Sequence, residues 1–144
     1  MALLDSMGQY LQDQTASLPS NQQLTLGGNL FLGRFPAEAP NAAVLIQQYG
    51  GGTPTMTMGS APAVIENPKL QLLVRGERED YPDAYQLAYI LWTILSSVVT
   101  NVTIDGTNIL RVAPMGMPNY IGYDDTDRPK FTINFTAMVA TPSS

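Results

Sequence analysis

Phe131-Thr132-Ile133-Asn134-Phe135-Thr136-Ala137-Met138-Val139 is the stretch on which the fold turns. Phe131, Ile133, Phe135, Ala137 and Val139 alternate with Thr132, Asn134, Thr136 and Met138, and a period of two places the two sets on opposite faces of a half-buried strand. Upstream, Val102-Thr103-Ile104 and Thr107 to Val112 flank Asp105-Gly106. That dipeptide favours the turn of a two-residue hairpin, and the second strand runs on toward Pro114. Met115 to Tyr120 and Tyr123 to Asp127 read as loops between this hairpin and the final strand.

Before the hairpin, the spacing predicts a helix over about 82–99. Pro82 fits the first turn, Asp83 complements the helix dipole, and Ala84, Leu87, Ala88, Leu91, Trp92, Leu95 and Val99 form the stripe expected to be buried. Tyr85 and Tyr89 lie beside it at i,i+4. Lys69 to Arg75 reads as a strand with Leu70, Leu72 and Val74 on one face, followed by the charged turn Gly76-Glu77-Arg78-Glu79-Asp80. The region from about 50 to 68 opens on Gly50-Gly51-Gly52-Thr53-Pro54, holds little periodicity, and is expected to be a long irregular loop, a kind that is usually functional.

Leu30 to Arg34 and Ala42 to Tyr49 read as strands. Pro36 and Pro40 between them exclude a tight hairpin, and Val44-Leu45-Ile46 suits a strand buried on both faces. At the start, Leu3, Leu4, Met7, Tyr10 and Leu11 define one face of a helix over about 2–16, ended by Ser17-Leu18-Pro19-Ser20. The expected fold is one α+β domain over residues 1–144, a mostly antiparallel sheet with helices packed on one face.

Composition narrows the chemistry. The 144 residues include 12 acidic and 7 basic side chains, no histidine and no cysteine, and charged residues are 13%. That is about half the share of an ordinary domain. Without cysteine there is no disulfide, thiolate nucleophile or zinc–thiolate site; without histidine there is no Ser-His or Cys-His pair. A net charge of −5 and seven scattered cations do not make a phosphate-neutralising face. Met1 to Asp5 lacks the basic start of a signal peptide. Ala84 to Ile104 is uncharged, yet Gln86, Thr93, Ser96, Ser97, Thr100, Asn101 and Thr103 would be stranded in a bilayer, so a central helix is the reading and no membrane partner is expected.

Two acidic clusters, Glu77, Glu79, Asp80 and Asp83 and then Asp124, Asp125 and Asp127, could in principle serve a two-carboxylate hydrolase or a calcium site. The second lacks the glycine and distal glutamate of an EF-hand, and turns with solvated charges account for both. The glycine clusters lack the lysine and the following helix of a phosphate loop. Met56, Met58, Met115 and Met117 fall in expected loops, where they serve either as a contact surface or as buried gap-fillers. No catalytic residue, cofactor or metal is expected.

Several segments together resemble the tailed-phage minor capsid and tail terminator (tail completion) proteins. They are Gln48-Tyr49-Gly50-Gly51-Gly52-Thr53-Pro54, Glu66 to Gly76, Tyr81 and Ala84 opening a helix, Gly122-Tyr123-Asp124, and Arg128 to Phe135. The resemblance covers roughly Val44 to Ala140; Gly52 and the charged turn Glu77 to Asp80 depart from it. It implies a structural virion protein, not an enzyme, assembled in the host cytoplasm and located in the tail's neck region. Such a protein forms a homo-oligomeric ring, commonly a hexamer, on the head-proximal end of the tail tube. Its partners are itself, the tail tube protein and the head–tail connector or neck protein, and DNA passes its lumen without specific binding. The contacts expected from this likeness are the 53–67 loop with Met56 and Met58, Met115 to Tyr120 with Met115 and Met117, and Arg75, Glu77 and Arg78 against Asp124, Asp125 and Asp127. The charged pairing would lie either across a ring seam or within one chain. Rival readings are another neck or minor capsid component, a small carboxylate-dependent hydrolase, and a monomeric carbohydrate- or calcium-binding module.

Overall fold

The structure is a computed structural model, and it describes residues 2–51, 55–56, 63–96, 100–104 and 107–142. The chain order is α1 (Ala2–Thr15), β1 (Leu30–Leu32), β2 (Ala43–Gly51), β3 (Thr55–Met56), β4 (Ala63–Glu66), β5 (Pro68–Arg75), α2 (Tyr81–Ser96), β6 (Thr100–Ile104), β7 (Thr107–Pro114), β8 (Asn119–Tyr123) and β9 (Pro129–Pro142). All nine strands join one sheet.

β9 is its spine. At 14 residues it exceeds every other strand and pairs along both edges. One edge takes β5, from Arg75↔Lys130 to Lys69↔Thr136, and then β4, from Glu66↔Val139 to Ala63↔Pro142, without a change of register. The other edge takes β8 beside 129–132 and β7 beside 135–140. β2 pairs antiparallel with β5, and β1 pairs parallel with β2. The sheet is therefore mostly antiparallel, and the single parallel pair follows from the ten-residue span between β1 and β2, whose prolines prevent a hairpin return.

Alternation sets the two faces. Phe131, Ile133, Phe135, Ala137 and Val139 of β9 share a face with Leu70, Leu72, Val74, Val44, Ile46, Ile109 and Val112, and all are buried. Both helices close over that face. Leu4, Met7 and Leu11 come down from α1, while Ala84, Leu87, Ala88, Leu91 and Leu95 come from α2. Each fully buried aliphatic or aromatic side chain contributes about 1.5–3 kcal/mol relative to exposure. Gly76 lets α2 approach the strands: a Cβ there would lie 2.6 Å from Ala84 Cβ and 3.2 Å from Asp80 O. No helix among the described residues is long and apolar enough to cross a membrane.

Several expectations change here. The 50–68 segment is not irregular throughout: β2 extends to Gly51, β3 pairs with β4, and β4 is zipped to β9. Ala63-Val64-Ile65-Glu66 is too short to show periodicity, and its partner lies some 75 residues away, so only tertiary pairing reveals it. Asn119 and Tyr120, expected in a loop, begin β8, whose residues are mostly exposed and so lack an alternating pattern. A bulge lies between Tyr120 and Gly122, and Gly122 takes φ +99°, which only glycine adopts without strain. α2 starts at Tyr81, capped by Asp80, whose Oδ1 accepts from Asp83 N at 3.3 Å. Trp92 is half-buried against the core. Ile104↔Thr107 pairing leaves a two-residue connection, as the sequence implies. Asp105-Gly106 itself, with Val99, lies outside the described residues.

Candidate functional site

The two acidic clusters of the sequence meet within one chain. Asp124, at the exit of β8, accepts from Thr126 N (3.0 Å), Thr126 Oγ1 (3.1 Å) and Arg128 N (3.0 Å) at Oδ1, and from Arg128 Nε (2.8 Å) at Oδ2. Burial pushes its pKa up, but the four donors outweigh that and hold it at about 2. The loop they shape then grips the turn before α2. Glu79 N donates to Asp127 O at 2.7 Å, Arg78 Nε to Thr126 O at 3.0 Å, and Gly76 N to Pro129 O at 2.9 Å. Glu79 and Asp127 both take positive φ, near 60°, at this junction.

Arg75 is committed inside the same chain. Its Nε donates to Asn41 O at 2.9 Å and its Nη2 to Pro40 O at 2.7 Å, while the guanidinium lies 4.3 Å over the Phe35 ring. Burial first, then repulsion from Arg128, lowers its pKa, with Asp124 opposing. Of the residues expected to bridge neighbours, Arg75, Arg78 and Asp124 thus have partners at home. The Glu77 carboxylate accepts from Asn41 Nδ2 at 3.5 Å. Asp125 and Asp127 are exposed.

Charge is concentrated here. Glu77, Glu79, Asp80, Asp83, Asp124, Asp125 and Asp127 set seven carboxylates against Arg75, Arg78, Arg128 and Lys130, a surplus of three negative charges out of the chain's net −5. The other five acids and three bases supply the remaining −2. Asp83 and Asp80 are close enough that Asp80's charge and hydrogen bond raise the Asp83 pKa. A cleft of about 220 Å³, lined by residues including Arg75, Glu77, Asp80, Asp83 and Leu87, opens beside them. Among the described residues no group of three or more acids could hold a metal ion.

Next to this acidic corner lies a tyrosine face. Tyr81, Tyr85 and Tyr89 recur at i,i+4 on α2 and stack in series, centroids 6.1 and 6.3 Å apart. Tyr120 and Tyr123 of β8 continue the surface, with Tyr120 5.2 Å from Tyr81 and both packed on Phe131. The five rings and Ile121 remain 38–49% exposed. Desolvation first, then Tyr123 and Tyr81, raises the Tyr120 pKa. The sequence showed the i,i+4 tyrosines but not their exposure, and it hid Tyr120 and Tyr123 in two apparent loops.

The helix-free face of the sheet is different in character. Gln71 Nε2 donates to Asn134 Oδ1 at 2.9 Å across β5 and β9. Tyr49 Oη reaches Met115 Sδ at 3.5 Å, although two strands separate β2 from β7, so its side chain lies across this face. Met115 and Met117 are more than half exposed. Lys69 and Arg111 stand on the same face, opposite Thr136 and Met138, beside a cleft of about 220 Å³ lined by Asn67, Arg111, Ala113, Thr136 and Met138. Met56 lies on β3 and Met58 lies outside the described residues.

Such an arrangement offers extended apolar and charged surfaces for association. A sequence-family profile described as bacteriophage tail terminator protein matches residues 17–141. No curated protein matches in sequence. Among solved structures, a chain of the virion of a native gene transfer agent particle is similar in fold, with a TM-score of 0.57 at 11% identity, over 92% of this chain and 94% of that one.

Proposed function

The chain belongs to the bacteriophage tail terminator family, and from that premise we propose that it caps the head-proximal end of the tail tube as a ring, stops tube growth and presents the opposite surface to the head connector. Membership makes it a structural protein of the phage tail. The observation that carries the finer reading is the pairing of the tyrosine face with exposed Met115 and Met117. Five tyrosines left about two-fifths exposed in one continuous surface, with exposed methionines elsewhere, are the kind of apolar exposure that marks a contact surface. Asp124 is committed within the chain, and with no histidine or cysteine present the surface, rather than a reactive group, is the working part.

In a ring of six, the formal charge is about −30, and any share of it facing the lumen repels DNA from the wall. Particles made without this protein test the proposal. Overlong or headless tails are expected, and purified protein added to polymerising tubes should fix their length. Normal virions in its absence would refute it. Normal tail length with missing heads would move the role to another neck component.

A further inference from the structure

The protomer is polar along its longest strand. A surplus of negative charge lies at the β8–α2 corner, beside Lys130 and the start of β9, whereas Lys69 and Arg111 pair with Thr136 and Met138 toward the other end. Six to eight residues of β9 separate them, roughly 20–27 Å at the rise of a strand. Among the described residues neither Lys69 nor Arg111 makes an ion pair, and neither do Glu79, Asp125 or Asp127. Among the described residues, each end therefore carries exposed charge without a direct ion pair, negative in surplus at one and positive at Lys69 and Arg111 at the other.

We propose that a second copy of this chain covers both ends, the acidic tyrosine face of one copy docking on the Lys69–Arg111 cleft of the next. The inference rests on the ring reading and names its seam. Three observations argue for it. The charges are complementary only head to tail: two acidic corners, or two basic clefts, brought together would repel. Arg111 is an exposed guanidinium beside a cleft of about 220 Å³, and the facing surface is aromatic, the combination that favours a cation over a ring. The exposed parts of five tyrosines, at about 200 Å² per ring side chain, amount to roughly 430 Å². That is over half of the ~800 Å² one partner contributes to a standard interface. A heterologous contact whose rotation closes gives a ring, whereas a self-matching one stops at two copies.

The chain has no cysteine, so introduced thiols report cleanly. Asp125→Cys with Arg111→Cys in one chain cannot close on itself, because the sites are far beyond the ~7 Å a disulfide spans. Mild oxidation should give a ladder of covalent multimers ending at the ring size, with each single variant giving none beyond dimers. A second measurement uses charge reversal on folded, exposed positions. Arg111→Glu and Asp125→Lys should each weaken self-association at least about tenfold, and the double variant should recover most of it. Rings that form normally but neither cross-link at these positions nor respond to reversal overturn this seam and leave the capping role intact. Single-cysteine variants that cross-link to dimers as efficiently as the pair forms ladders overturn it in favour of an isologous contact. Wild-type protein that stays monomeric even on tail tubes fails the ring reading itself.

Discussion

Replacing Asp124 by asparagine isolates the bond that knits the acidic corner. Asparagine keeps an oxygen for Thr126 and Arg128 N but loses the carboxylate that holds Arg128 Nε at 2.8 Å. A carboxyl held at about 2 against an ordinary 3.8 corresponds to about 2.4 kcal/mol. The side chain is 16% exposed, so solvent reduces this, and about 1.5–2 kcal/mol is the expected loss. In a chain of this size that lowers Tm by about 4–8 °C. The pH dependence is more telling. Because the folded pKa is depressed, the stabilisation is complete above the unfolded value and disappears as pH falls through the folded one. Urea unfolding of wild type and Asp124→Asn should therefore differ fully at pH 6, by about half near pH 3, and hardly at all below pH 2. A gap unchanged between pH 6 and pH 3 would show that the carboxylate's charge is not what holds the loop.

Other substitutions probe other parts of the molecule. Gly76→Val forces a side chain against Ala84 Cβ and Asp80 O, neither of which can rotate away, and should cost about 1–3 kcal/mol in urea unfolding. Phe135→Ala removes a fully buried ring at the centre of the sheet and should cost about 3–5 kcal/mol; a loss under 1 kcal/mol would contradict its place in the core. Asp80→Ala removes the cap of α2, worth about 1 kcal/mol, and carbon-detected NMR should find the Asp83 titration moved down toward its ordinary value.

The parts legible in the sequence are those whose signal is local. Phe131 to Val139 and Lys69 to Arg75 alternate because one face meets the helices, and α2 shows its stripe because Ala84, Leu87, Ala88, Leu91 and Leu95 all point at the sheet. What stayed hidden depends on partners distant in sequence. β4 is a strand because β9 lies beside it, and β8 is a strand although almost nothing along it is buried. The acidic clusters were visible as clusters and Arg78 was expected against the 124–127 loop, but two of the three hydrogen bonds that join them run between backbone groups, which carry no side-chain signature. The likeness to tail terminators was legible in ordered segments for the same reason: most of them fall on β5, α2 and the loop into β9, where local pattern and tertiary role agree.

The central position of β9 also has a kinetic consequence. Of the strands from β4 to β8, all but β6 bond directly to it, and it follows all of them in the sequence. During synthesis the ribosome therefore releases β4, β5, β7 and β8 with open edges, and the sheet cannot close until the final strand has emerged. Pairings this distant in sequence form slowly, in milliseconds to seconds. The helix-covered core and the β8–α2 tyrosine surface are complete only when β9 is in place, so contacts through that surface begin from completed subunits.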